Sequence, residues 1–166
     1  ELGYDSTPLV RTLPNVLLLR TMSKGYSLAG LRFAYGLGAA ALIEPMLTKT
    51  KDSYNVDAVA QALATASLRH RDEAAKTWQA VRAERARVAA ALTGRGYSCP
   101  PSQTNFLLVT VPAGHAGGAQ PVYRALADDG IYVRWFDQDR LRDKLRITIG
   151  TPQENDALLA ALDRIG

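Results

Sequence analysis

The chain has 166 residues, 47% hydrophobic and 22% charged, with a formal net charge of +4. That is the composition of a globular protein long enough to bury a core, and it excludes a disordered chain. No apolar run approaches the ~20 residues of a bilayer-spanning helix, and Arg69, Arg71, Lys76, Arg82, Arg85 and Arg87 alternate with Asp72, Glu73 and Glu84 as on a solvated helix face, so neither a membrane nor nucleic acid is expected as a partner.

The opening residues, Glu1 to Thr7, carry no initiator methionine, no basic-then-apolar leader and no start signal for a helix or strand. Pro8–Leu13 reads as a short helix ending before Pro14, and Val16–Leu19 as a fully buried strand of a parallel sheet. The stretch that follows, Arg20-Thr21-Met22-Ser23-Lys24-Gly25-Tyr26-Ser27-Leu28-Ala29-Gly30-Leu31-Arg32, concentrates hydroxyls, one lysine and small residues. At the rim of an α/β sheet, such a loop is where ligands bind.

Downstream, Arg32–Gly38 alternates as a strand, and Ala39–Lys49 reads as a helix in which Pro45 falls near the first turns or forms a kink. Asp52–Asn55 is a polar break with Asn55 as the expected helix cap. Val56 to about Thr93 is helical in period, with a break near Leu68–Asp72 and stop signals at Gly94 and Gly96. A coiled coil is the competing reading, although the alanine-rich first part lacks sustained heptads. Asn105–Val111, Ile131–Phe136 and Lys144–Ile149 read as strands, with Pro112–Gly118 a loop and Pro121–Asp129 a helix. Pro152–Ile165 reads as a final helix, opened by a capping box of Thr151 and Glu154. There is no internal repeat.

The residues that carry chemistry fall into two groups. A lysine amine is a poor nucleophile while protonated, but once neutral it can condense with an aldehyde. If that aldehyde carries a phosphate, Ser23 offers a hydroxyl and Arg32 a fork of donors matched to phosphate oxygens, while Gly25 and Gly30 let the backbone approach closely or turn sharply. The second group is Arg134 and Arg146, each flanked by apolar residues inside an expected strand. Alternation turns each to the opposite face, which must hold water, a carboxylate partner such as Asp128, Asp137 or Asp139, or an anionic ligand. Tyr26 and Tyr35 read as packing residues, and Tyr54 could reach a neighbouring subunit. His70 reads as a surface residue and His115 has no assigned role. Cys99, the single cysteine, cannot form an internal disulfide, which fits a reducing cytoplasm; beside Pro100 and Pro101 it reads as a loop or packing residue.

The block Ser23-Lys24-Gly25-Tyr26-Ser27-Leu28-Ala29-Gly30-Leu31-Arg32 resembles the lysine segment of fold-type I pyridoxal-phosphate aminotransferases, in the histidinol-phosphate aminotransferase branch. The resemblance implies that Lys24 forms the Schiff base with pyridoxal 5'-phosphate and carries the proton, and that Ser23, Arg32 and Thr21 help hold the cofactor. Leu145-Arg146-Ile147-Thr148-Ile149-Gly150-Thr151 is similar to the family's substrate-anchoring arginine segment. Arg134 resembles its partner in clamping the phosphate of histidinol phosphate. Asn105 resembles a strand-start asparagine near the substrate site, and it reads equally as a turn residue.

In that family an aspartate for the pyridine nitrogen and a tyrosine near the cofactor oxygen lie just upstream, and neither is found in this sequence. Family members are more than twice as long, so the chain is expected to be a carboxy-terminal half, as a fragment or proteolytic product. The fold class implied is α/β: residues 1–68 as the end of the large domain, 69–96 as a linking helix and 97–166 as a small α+β domain. The activity implied is amino transfer between histidinol phosphate and 2-oxoglutarate by a cytoplasmic homodimer with no metal. An aromatic aminotransferase, a phosphothreonine-type decarboxylase and a non-catalytic fragment stay open, as does an unrelated helical interaction module.

Overall fold

The computed structural model describes residues 5–115 and 117–166, so residues 1–4 of the opening segment and Ala116 of the expected 112–118 loop lie outside the described residues. The chain divides into two compact units, residues 1–78 and 79–166.

In the first unit, Pro8 sits in the first turn of helix α1 (Thr7–Thr12), where its missing N–H costs nothing, and Pro14 follows the helix end. Strand β1 (Leu17–Thr21) pairs antiparallel with β2 (Ala34–Gly38), from Leu17 opposite Gly38 to Thr21 opposite Ala34. This corrects two expectations. The sheet is a two-stranded antiparallel ribbon rather than part of a parallel sheet, and β1 is not buried, since Leu19 is 75% exposed. An apolar run signals that a strand can be buried, but burial requires an element packed over it, and the run does not encode that element.

Helix α2 (Ala40–Pro45) continues into one π-helical turn, Met46–Thr50, closed by Lys51 N–H donating to the Met46 carbonyl at 2.8 Å. Pro45 has no N–H to give to the α-ladder, and Thr48 and Thr50 turn their hydroxyls back onto the Glu44 and Met46 carbonyls, both at 2.9 Å. Both features loosen regular i to i−4 pairing, so the expected 39–49 helix changes character after Pro45. Helix α3 (Ala58–Arg69) is capped by Asp57, whose carboxylate accepts from Ala60 N–H at 2.7 Å. Asp57 therefore takes the role expected of Asn55. The helical period then breaks at His70, inside the predicted window, and α4 spans Arg71–Gly94.

The second unit holds nearly all of the buried apolar residues. Strands β3 (Phe106–Thr110), β4 (Arg134–Trp135) and β5 (Lys144–Thr148) form an antiparallel sheet in the order β3-β5-β4. Leu107, Val109, Leu145 and Ile147 alternate onto one face. They share a core with Val88 and Leu92 of α4, Val122 and Leu126 of α5 (Ala119–Asp128), and Leu158 and Leu162 of α6 (Pro152–Ile165). Thr151 and Glu154 form the predicted capping box at the start of α6.

The strand expected over 131–136 is only two residues long. Gly130, at φ +76°, closes α5, and Ile131 N–H donates to the Leu126 carbonyl at 2.8 Å. The chain is thus spent on a helix C-cap before it can enter the ladder.

Candidate functional site

The loop between β1 and β2 is drawn shut at its neck. Met22 N–H donates to the Phe33 carbonyl at 3.3 Å and Leu28 N–H to the Met22 carbonyl at 3.2 Å, while the Met22 side chain is buried beneath. The Thr21 hydroxyl donates to Ser23 Oγ at 2.8 Å and accepts from Ser23 N–H at 3.1 Å. Those bonds hold the first residues of the loop in one conformation. Lys24 follows, exposed, and its ammonium makes no hydrogen bond or ion pair among the described residues. Arg32 re-enters the strand with left-handed backbone (φ 55°), and its Nη1 donates to the Ala29 carbonyl at 2.9 Å, so this guanidinium folds back onto its own loop. Thr21, Ser23, Lys24 and Arg32 therefore share one closed loop. A primary amine, two hydroxyls and a guanidinium together suit an aldehyde that carries a phosphate.

One residue missed in the sequence supports this loop. The Trp78 indole N–H donates to the Gly25 carbonyl, and Tyr26 meets the same indole edge-on with ring centroids 5.5 Å apart. A recess of about 490 Å³ opens here, lined by residues including Thr21, Gly25, Tyr26, Tyr35, Arg71 and Trp78. In the sequence Trp78 is one position in a helical period, and nothing in that period encodes a bond fifty-three residues back.

The second constellation lies on the outer face of the three-stranded sheet. Arg134 and Arg146 stand directly opposite each other, with Leu108 opposite Arg146 on its other side. Asp137, a candidate partner by sequence, instead accepts from Arg142 Nε at 2.7 Å, and neither Arg134 nor Arg146 forms an ion pair among the described residues. Their company is aromatic. Arg134 lies 5.3 Å from the Phe136 ring centroid, and Arg146 lies 5.5 Å from that of Phe106 and 5.9 Å from that of Phe136. The sequence did carry a signal for Phe136, since it stands two residues after Arg134 and so on the same face of an extended chain. Asn105 precedes β3, and its backbone carbonyl accepts from Ile149 N–H at 2.9 Å; no side-chain bond joins it to the arginines. Thus the lysine group is assembled in the first unit and the arginine pair in the second.

Elsewhere in the second unit the polar groups are structural. Asn155 is buried and fully used: its amide donates to Glu84 Oε2 at 2.8 Å and to the Gly150 carbonyl at 3.1 Å, and its Oδ1 accepts from Gly150 N–H at 3.0 Å. The Arg87 bond to Glu84, followed by the Asn155 bond, holds the Glu84 carboxyl below its usual range. Burial pushes the Cys99 thiol up, which fits its reading as a packing residue. Among the described residues no helix is long and apolar enough to cross a membrane, and no group of three or more metal-ligating side chains is gathered.

The profile of the family Aminotransferase class I and II matches residues 2–162. The chain belongs to that family. It is 45% identical over 154 residues to histidinol-phosphate aminotransferase 1 of Nostoc sp. (strain PCC 7120 / SAG 25.82 / UTEX 2576), covering 93% of this chain and 42% of that protein. It is 44% identical over 158 residues to the aromatic amino acid aminotransferase of Rhodococcus opacus (strain B4), covering 95% and 42%. Among solved structures it resembles histidinol-phosphate aminotransferase from Sinorhizobium meliloti, in complex with pyridoxal-5'-phosphate, with a TM-score of 0.79 and 29% identity over 92% of this chain and 41% of that one. The fold class is accordingly α/β, of the fold-type I pyridoxal-phosphate-dependent transferases. The chain spans about 42% of the length of these two curated relatives.

Proposed function

We propose that this chain is the carboxy-terminal portion of a pyridoxal-phosphate-dependent aminotransferase whose amino donor is histidinol phosphate and whose acceptor is 2-oxoglutarate. The observation that carries the proposal is the closed loop with an unpaired Lys24 amine beside the Thr21–Ser23 hydroxyl pair, in a chain of this family. In this reading residues 1–68 end the large domain, 69–96 link, and 97–166 form the small domain. The complete protein is a cytoplasmic homodimer acting on small molecules, without nucleic acid or membrane.

Lys24 Nζ is the covalent anchor for the cofactor, with Thr21, Ser23 and Arg32 binding its phosphate. When bound, pyridoxal phosphate supplies an aldehyde and an electron-withdrawing ring that stabilises charge at the carbon bearing the amino group. With the cofactor bound, the Lys24 amine would be the group that holds and moves the proton at that carbon. Arg146 and Arg134 bind the anionic end of the substrate and hold it in one orientation. Asn105 contributes at the edge of that subsite. The similarity to the Rhodococcus opacus protein supports a second reading, an aromatic amino donor. A phosphothreonine-type decarboxylase and a non-catalytic fragment are the further alternatives, and turnover of each donor separates them.

The test is to add pyridoxal phosphate, reduce with borohydride and map the adduct by mass spectrometry. A single adduct at Lys24, lost on Arg32→Ala or with excess phosphate, is expected. Scattered adducts on surface lysines in both this chain and its complete open reading frame would overturn the reading.

A further inference from the structure

We propose that Phe136 is a positioning residue that fixes the Arg134 and Arg146 guanidinium groups side by side, so that both face one phosphate-class anion of the substrate. The inference rests on the reading of those arginines as substrate anchors, and it assigns to an aromatic ring what an acidic residue does elsewhere. A single ring lies 5.3 Å from one guanidinium and 5.9 Å from the other, both within the ~6 Å reach of a cation–π contact. Phe136 is half-buried and stands outside the apolar core of its unit, so packing of that core does not account for it.

The chemistry of the alternative shows what the ring contributes. Directly opposed like charges repel, and left to themselves two arginines would swing apart into solvent. A carboxylate between them would hold them together, but it would consume the N–H donors and cancel the charge that an anion needs. Two acids of the same segment are engaged elsewhere: Asp137 with Arg142, and Asp143 with Lys144. An aromatic ring attracts the cations through its π-electrons and accepts none of their in-plane hydrogen bonds. The pair is thereby ordered before the ligand arrives, which lowers the ordering cost of binding.

The experiment follows the arginine Nε–Hε signals of the full chain by nitrogen-15 NMR during titration with inorganic phosphate. Wild type is compared with Phe136→Leu, Phe136→Met and Phe136→Tyr. In wild type, the Arg134 and Arg146 signals are expected at ring-current-shifted positions and to move with phosphate. Both Phe136→Leu and Phe136→Met lose the ring-current shift at Arg134 and reduce it at Arg146, which keeps the Phe106 ring at 5.5 Å, and they weaken phosphate binding about tenfold, the cost of freezing two freed side chains. Phe136→Tyr, which restores the ring, returns both to within about twofold. Two non-aromatic variants are used so that a folding failure in one leaves the other decisive, and an unchanged backbone amide spectrum shows that the fold is kept. Phosphate binding undiminished in the non-aromatic variants overturns the positioning role alone. Ring-shifted arginines in wild type that never respond to phosphate overturn the anchoring reading and the inference with it.

Discussion

Arg134 and Arg146 face each other across adjacent antiparallel strands, and each guanidinium meets an aromatic ring where a carboxylate would be the common partner. Directly opposed like charges lower the stability of a sheet, by roughly 0.2–1 kcal/mol for a cross-strand pair. The two arginines, without an ion-pair partner among the described residues, sit on the face away from the core.

That relationship predicts a salt dependence. Raising ionic strength from about 0.01 M to about 1 M shortens the screening length from roughly 30 Å to 3 Å and removes most of the repulsion between exposed charges. The wild-type chain is therefore expected to gain more stability from added sodium chloride than Arg134→Gln, which keeps the stem but not the charge. Urea unfolding at both salt concentrations measures the two gains. Equal gains would mean that the arginines do not repel each other.

The uneven distribution of buried apolar surface predicts an uneven response to mutation. Leu145 is fully buried in the core of the second unit, whereas Leu19 in β1 is 75% exposed. Leu145→Ala should cost about 2–5 kcal/mol, the usual range for emptying a core leucine site. Leu19→Ser should stay within about 0.5 kcal/mol, as for other surface substitutions. Native-state hydrogen exchange checks the same contrast in wild type, with slow amides at Leu107, Val109 and Ile147 and fast ones at Leu19 and Leu37. Comparable protection in β1 and β3 would contradict the assignment of the core to residues 79–166.

These contrasts also show what was legible in the sequence. Period-two alternation in Leu145-Arg146-Ile147-Thr148 was sufficient to place Arg146 on the outer face, because one side of that strand is buried within the chain itself. The capping box at Thr151 and the break at His70 were legible because caps and breaks depend on a few neighbouring residues. The exposure of Val16–Leu19 was not, since an apolar run reads the same whether or not anything covers it. Nor was the shortness of β4, which depends on Gly130 diverting Ile131 into a helix cap. At the lysine loop the residue types were legible and the support was not: Trp78 and the backbone of Gly25 meet only in the folded chain.

Buried and ion-paired groups fix how stability varies with pH. Burial raises the Tyr97 phenol from 10.0 to about 12. The unfolded chain therefore loses that proton first, and the contribution of Tyr97 is full below pH 10 and is lost as pH rises toward 12. Asp163, held low by its bond to Arg95, and Glu154, held low by Thr151, have the opposite sign. Their contributions are full above their ordinary values of 3.8 and 4.5 and fade as pH falls through the lowered ones. Denaturant midpoints should thus decline at both ends, and Tyr97→Phe should remove part of the alkaline decline only. An alkaline limb unchanged in Tyr97→Phe would count against this assignment.

Gly25 gives the most local test of the lysine loop. A Cβ at this position would lie 3.2 Å from Trp78 Nε1, closer than carbon and nitrogen normally approach, and the same indole donates to the Gly25 carbonyl. In Gly25→Ala the ring must give by a few tenths of an ångström, which disturbs the bond that ties the loop to α4. Such overpacking costs about 1–3 kcal/mol where the backbone cannot move. The chain has two tryptophans, so the measurement uses a Trp135→Phe background in which Trp78 is the only emitter. Gly25→Ala should shift its emission to longer wavelength and raise its quenching by iodide, as an indole does when its packing loosens. It should also lower the yield of reduced pyridoxal-phosphate adduct at Lys24, because the residue beside the amine is less firmly anchored. Gly30→Ala is the control, since a Cβ there meets nothing within 4 Å, and it should change neither signal. If Gly25→Ala moves the Trp78 emission but leaves the Lys24 adduct at its wild-type yield, the indole bond braces the loop without setting the position of the lysine.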